Sequence, residues 1–321
     1  MRDREQLPTP SREASQSREI APRPVTDIAP ETVADIDRAT KKIVEWGVKL
    51  PANHRLSQAR KVLSHAAKTG EIVPAQRGDD LGLRSLELAF DYGAIADTLP
   101  ANRVADVRKD LEKSLEGDLS PREELMGPLQ LQAQLVVRAA LVRAGLSPEH
   151  PTKSPRKGMR PDLILRRNDV SYGVEVKRPK SEAGLLSRFD DGRDQLVGYS
   201  VRGAVLVDVT DCVRGVPREE IDQEVRRLAL RLYGRAFVTG KGYKLGYENV
   251  MVAGTFARVG WHSNDHADHS IVAVHTSSVI AIFAQEEGSV LDLDARWIRT
   301  NFEDGLAIMY QTLAEVHKQA K

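Results

Sequence analysis

Apolar residues recur at three- and four-residue spacings through the first third of the chain. In PETVADIDRATKKIVEWGVKL, from Pro30, the positions Val33, Ile36, Ala39, Ile43 and Val44 fall on one helical face. The same period predicts helices over Leu56–Lys68, Leu81–Tyr92 and Val104–Leu115, with TGEIVPAQRGDD as a loop. Ser120-Pro121-Arg122-Glu123 has the form of a capping box with proline at the first helical position, so a helix is expected to start there. Gly127-Pro128 interrupts it, and PLQLQAQLVVRAALVRAGL then runs as a second helix to Gly145, apolar on nearly every side, as suits burial against a sheet. Its exceptions, Gln130, Gln134 and Arg138, form one polar line.

Beyond residue 160 the period changes. Asp162–Arg167 and Val170–Lys177 read as two strands joined by the two-residue turn Asn168-Asp169, which sets Asp162 directly opposite Glu175. Alternation along the strand puts Glu175 and Lys177 on one face and Val174 and Val176 on the other. SEAGLLSRFDDGRDQLVGYSV reads as a helix, and GAVLVDVT as a continuous apolar strand of the kind covered on both faces. PREEIDQEVRRLALRLYGRAF is amphipathic, with Ile221, Val225, Leu228 and Leu232 on one side. ENVMVAGTFARVGW and HSIVAVHTSSVIAIFA are expected to extend the same sheet, and DARWIRTNFEDGLAIMYQTLAEVHKQA to close the chain as a helix. Residues 1–25 are rich in proline, serine and alternating charge; they bury too little apolar area to offset ordering entropy and are expected to be a disordered tail.

Composition narrows the classes. With 321 residues, 41% of them hydrophobic, the chain can build a substantial core. Lys+Arg 47 against Asp+Glu 46 excludes a polycation that coats nucleic acid, so charge has to be judged locally. Between Arg138 and Lys180 eleven Lys and Arg face four acids, a local charge of +7. Cys212 stands alone, which excludes an intrachain disulfide framework and a multi-cysteine zinc site and fits a reducing, cytoplasmic compartment. No apolar run of membrane-spanning length and no signal-peptide pattern is visible, so no membrane partner is expected.

The hairpin carries the candidate chemistry. Asp162, Glu175 and Lys177 converge on one patch between apolar flanks, and directly opposed like charges are destabilising. A divalent cation shared by both carboxylates, or a proton on one of them, would compensate; hard oxygen ligands suit Mg²⁺ or Mn²⁺. The plainer alternative is a hairpin with a salt-bridged lysine.

Pro161-Asp162 followed by Glu175-Val176-Lys177 resembles the signature of the PD-(D/E)XK nuclease superfamily. The helical run before the hairpin and QLVGY at 195–199, similar to the Gln-xxx-Tyr element of RecB-like members, extend the resemblance over about residues 120–210. It implies an α/β, restriction-endonuclease-like fold with a mixed central sheet flanked by helices, assigned to 118–321; the helical periods before it are read as an all-helical domain over 26–117. It also implies Mg²⁺- or Mn²⁺-dependent hydrolysis of phosphodiesters, in DNA rather than RNA, with bacterial defence or repair as typical settings. Asp162, Glu175 and the carbonyl of Val176 would ligate the metal, and Lys177 would act on the attacking water and on transition-state charge. The family usually adds a helix glutamate; here the matching position is about Gln134, with Gln130 one turn earlier, whose amide oxygen can reach a metal directly or through water but brings no charge, the plainer alternative being that both are solvated. Gln195 and Tyr199, one turn apart, would position phosphate and base, unless Gln195 is simply exposed. Arg156, Lys157, Arg160, Arg178 and Lys180 would hold phosphates without reading sequence. A catalytically weak or inactive module of the same fold, binding nucleic acid or a protein, is the alternative function. The helical domain is the candidate surface for a protein partner or a second copy. His262, His266 and His269 lie in WHSNDHADHS, whose composition favours a hairpin loop over a metal site.

Overall fold

The computed structural model describes residues 14–72, 81–101, 104–119, 127–151, 159–238, 242–243, 247–263, 271–283 and 289–319. In chain order the elements are β1 (Ala14–Pro24), α1 (Val25–Glu45), α2 (Arg55–Thr69), α3 (Leu81–Thr98), α4 (Val104–Ser114), α5 (Gly127–Arg143), β2 (Leu163–Arg167), β3 (Val170–Lys177), α6 (Leu185–Tyr199), β4 (Arg202–Asp208), α7 (Ile221–Ala236), β5 (Phe237–Val238), β6 (Gly242–Tyr243), β7 (Val250–Ser263), β8 (Ile271–Ile282) and α8 (Val290–Gln319). Six strands form a mixed sheet in the order β1-β8-β7-β4-β3-β2, with β2 and β3 antiparallel and β3, β4 and β7 parallel. The chain is α/β with a helical N-terminal region. No helix among the described residues is long and apolar enough to cross a membrane.

Two compact units share the chain. One holds Gly145–Ala257 and Ser277–Asp304 together with the described residues before Arg18; the other holds Arg18–Ala144, Arg258–Thr276 and the residues from Gly305 onward. The division expected at 117/118 differs from this grouping, because α5 falls with the preceding helices and the second unit also takes part of β7, part of β8 and the C-terminal turns of α8.

In the first unit the hairpin forms in the expected register, with Leu163 paired to Val174 and Arg167 to Val170. Asn168 and Asp169 both take positive φ, 48° and 64°, the requirement of a two-residue turn whose twist matches the strands. Glu149 exchanges backbone hydrogen bonds with Ile164, covering part of the free edge of β2. Alternation on β3 sorts its neighbours: Tyr172 meets Asp294 and Trp297 of α8 on one face, whereas Gly173, Glu175 and Lys177 face α6 on the other. The parallel strand β4 is buried along almost its whole length, and Thr255 of β7 donates to the Val225 carbonyl of α7 at 3.0 Å.

In the second unit Ile28, Ile36, Ile43, Leu56, Leu63, Leu86 and Ile95 build the apolar core of the first three helices. α1 begins at Val25, five residues before the expected start, because Val25, Ile28 and Ala29 are buried and carry the apolar face back past Pro30. α3 runs through Gly93 to Thr98, since Ala94, Ile95 and Ala96 continue its buried surface. A buried polar network ties the segments together: Asp91 accepts from Gln132 Nε2 at 2.6 Å, Arg258 Nη1 at 2.8 Å and the Tyr310 hydroxyl at 2.6 Å. Arg55 in turn donates to Gln132 Oε1 at 3.0 Å and to the Ser114 carbonyl at 2.8 Å.

One expectation is overturned. Residues 14–24, read as part of a disordered tail, form β1 at the sheet edge next to β8. Backbone pairing needs no apolar side chains, and an edge strand tolerates Pro22 and Pro24, which a central strand would not. The helix start expected at Ser120–Glu123 and most of the loop expected at 69–80 lie outside the described residues.

Candidate functional site

Glu175 is the centre of the site. It sits on β3 under α6 with 0% of its surface exposed. Extending the ladder one step past Leu163 and Val174 sets Asp162 against it. The Asp162 carboxylate is half-buried and accepts from the Val176 N–H at 2.8 Å, which fixes the chain entering β2 against β3. Lys177, 9% exposed, places its ammonium 2.6 Å from Glu175 Oε2. The contact is an ion pair. Burial first, and then the negative charge of Asp162, push the Glu175 carboxyl well above the usual carboxylate range, with Lys177 opposing both.

Helix α6 completes the arrangement. Lys177 donates to Gln195 Oε1, and Gln195 Nε2 donates to the Arg160 carbonyl at 3.2 Å, so one amide joins the lysine to the segment that leads into Asp162. This fixes the amide orientation, because only the oxygen can face the ammonium and only the nitrogen can face the carbonyl. The helix can approach because two glycines line the contact. A Cβ on Gly192 would lie 2.8 Å from Val205 Cγ1 and 3.5 Å from both Glu175 Cβ and Lys177 Cε; one on Gly173 would lie 2.5 Å from Leu196 Cδ2. These glycines were not among the expected site residues. Their signal was present in the sequence: Gly192 falls inside a helical run, where glycine costs about 1 kcal/mol relative to alanine, and Gly173 inside a strand pattern, where glycine marks a close approach.

The other end of α6 is anchored separately. Asp190 accepts from Arg235 Nη2 at 2.7 Å and from the Tyr247 hydroxyl, and Arg193 stacks its guanidinium 4.6 Å from the Tyr247 ring centre. The Tyr247 ring also lies against Phe189, with centres 5.8 Å apart.

Asp162, Glu175, Val176, Lys177 and Gln195 are therefore brought together, with the Arg160 backbone as an added member. Tyr199 ends α6 half-buried, one turn beyond Gln195, and Arg160 and Lys180 are exposed. Gln134 lies half-buried on α5, in the other unit; its neighbour Gln132, not singled out from sequence, is the buried partner of Asp91 and Arg55. Arg156, Lys157, His266 and His269 lie outside the described residues, and His262 is exposed near the end of β7.

Two expectations about charge are corrected. Arg178 does not present a surface cation for phosphate: it is 4% exposed and paired with Asp208 at 3.3 Å and Asp211 at 2.8 Å. The local +7 is likewise smaller in space than in sequence. Besides Arg178, Arg167 pairs with Asp294 at 2.8 Å, whereas the Arg166–Glu149 and Lys177–Glu175 pairs lie within the counted stretch and leave the sum unchanged. Asp208, Asp211 and Asp294 all come from outside the counted stretch, so a window of sequence overstates the free positive charge.

Among the described residues no group of three or more His, Cys, Asp or Glu is placed to hold a metal. The donor set for a hard cation is the Asp162–Glu175 pair. The buried Glu175 oxygens and the charge of Asp162 beside them fit a divalent cation, and Lys177 supplies the competing positive charge. Comparisons of the chain with protein-family models, with curated proteins and with solved structures each found no match.

Proposed function

We propose that the protein is a Mg²⁺- or Mn²⁺-dependent nuclease of the restriction-endonuclease-like kind, hydrolysing phosphodiester bonds in DNA. The observation that carries this reading is the buried Glu175, set against Asp162 in the hairpin register and 2.6 Å from the Lys177 ammonium. A protein gains little stability from burying Glu175 and Lys177 beside a half-buried Asp162, since charges are costly to desolvate, so the cluster is better accounted for by chemistry. Asp162 and Glu175, with the Val176 carbonyl, would hold the cation. Bound there, it would polarise the phosphate and acidify a water. Lys177 would stabilise charge developing on the phosphoryl oxygens, and Gln195 would hold the ammonium in place. The choice of DNA over RNA rests on the resemblance to PD-(D/E)XK nucleases alone.

A second reading, a nuclease-fold module that binds without cutting, is favoured by the Lys177–Glu175 ion pair, which neutralises one acid without any metal. Cleavage of linear, circular and single-stranded DNA in Mn²⁺, alongside calorimetric Mn²⁺ titration, separates the two. The nuclease reading expects Asp162→Ala to lose both metal binding and cleavage. It expects Lys177→Ala to keep metal binding while cleaving about 10²-fold more slowly or worse. Metal binding absent from the wild-type protein would leave the binding module.

A further inference from the structure

The β3–β4 ladder ends at Lys177 and Val207. Immediately beyond it, side chains take over from backbone. The Arg178 guanidinium reaches from the end of β3 to Asp208, the last residue of β4, and to Asp211 in the turn that follows. Each acid is itself held. Asp208 has no exposed surface and accepts from the Thr210 N–H at 3.1 Å, and Asp211 lies 3.6 Å from Arg214. One guanidinium thus bridges two separately fixed carboxylates, hydrogen-bonding Asp211 through Nε at 2.8 Å and pairing by charge with Asp208 through Nη1 at 3.3 Å, which restricts the placement of the strand end. Net stability is a poor account of such a cluster, since a buried ion pair is often no better than an apolar replacement of equal volume.

We propose that Arg178 is a positioning residue for Lys177: by clamping the end of β3 to Asp208 and Asp211 it sets the direction in which the Lys177 ammonium leaves the sheet toward Glu175 and Gln195. Lys177 is thereby held from both sides, by Glu175 two residues before it and by the Arg178 clamp one residue after it. The catalytic consequence rests on the nuclease reading above; the geometric one does not.

The test uses the full chain and two variants, Arg178→Lys and Asp211→Asn. The first keeps the charge but loses the fork, and the second leaves Arg178 paired with Asp208, so that the fold survives the substitution. Competitive acetylation of the metal-free, DNA-free protein, read by mass spectrometry, reports the labelling of Lys177 relative to the exposed Lys180. Both variants are expected to raise that ratio several-fold. In single-turnover cleavage of linear duplex DNA in Mn²⁺, the rate constant should fall about 10-fold or more, toward the ~10²-fold loss of removing a positioned charge outright. Mn²⁺ affinity and the half-saturating DNA concentration should stay unchanged. Adding Asp211→Asn to Lys177→Ala should cause no further loss, because the clamp acts only through the lysine. An unchanged labelling ratio in both variants overturns the inference, whatever cleavage does. A raised ratio in a protein that cuts no DNA upholds the clamp and overturns the nuclease reading.

Discussion

Lys177 and Gln195 meet across the strand–helix contact, the ammonium donating to the amide oxygen while the amide nitrogen holds the Arg160 carbonyl. A residue of β3, a residue of α6 and the backbone before β2 are thus joined by one side chain.

This junction makes Gln195 testable by near-isosteric change. Gln195→Glu would turn an acceptor oxygen toward the Arg160 carbonyl and add a third acid beside Asp162 and Glu175. The expected outcome is tighter Mn²⁺ binding with slower cleavage, since the new charge favours a cation while the anchor of the segment before Asp162 is lost. Gln195→Met should lose both hydrogen bonds at a cost of about 1–3 kcal/mol in urea denaturation. Wild-type stability in the methionine variant would show that the junction is not formed in solution.

Gly192 separates propensity from packing. Alanine in a helix interior is favoured over glycine by about 0.8–1.0 kcal/mol. Here its Cβ would stand 2.8 Å from Val205 Cγ1, closer than side chains tolerate. Gly192→Ala is therefore expected to destabilise by about 1–3 kcal/mol, the usual cost of overpacking, and to lower cleavage by moving α6 away from Lys177. Chemical denaturation checks the sign. A stabilised variant would mean that α6 does not approach β3 this closely.

The buried carboxyls predict how stability varies with pH. Burial and Asp162 raise the Glu175 carboxyl well above its ordinary value, and burial pushes Glu303 up to about 7. For each, the native state holds its proton more tightly than the unfolded chain, so stability contributed by the protonated form is full below the unfolded value and is lost as pH rises through the folded one. In chelator, the melting temperature should accordingly fall from about pH 4.5 upward on account of these two groups. Glu303→Gln should remove the part lost up to about pH 7, and Glu175→Gln the remaining part that its raised carboxyl contributes. Mn²⁺ should offset the Glu175 part by binding the ionised form. Identical profiles for wild type and both variants would overturn the assignment.

Much of the local structure was legible in the residues themselves. Asn168-Asp169 between two apolar runs specified a two-residue turn, and the turn specified the register that sets Asp162 against Glu175, because hairpin geometry is decided over a few residues. The helical periods placed α2, α4 and α5 within one or two residues of their bounds, and GAVLVDVT announced a strand covered on both faces. Tertiary structure decided what depends on partners distant in sequence. It gave Arg178 to Asp208 and Asp211, and Arg167 to Asp294, where a count along the chain had left positive charge unmatched. It made a strand of residues 14–24, since an edge takes its stability from the backbone of β8 rather than from its own apolar content. It assembled Asp91, Gln132, Arg258 and Tyr310 from four separate segments into one buried network. Periodicity reports which face of an element is apolar; which charge meets which is settled only when the chain has closed, because Coulombic pairing depends on distance in space and on the water excluded around it.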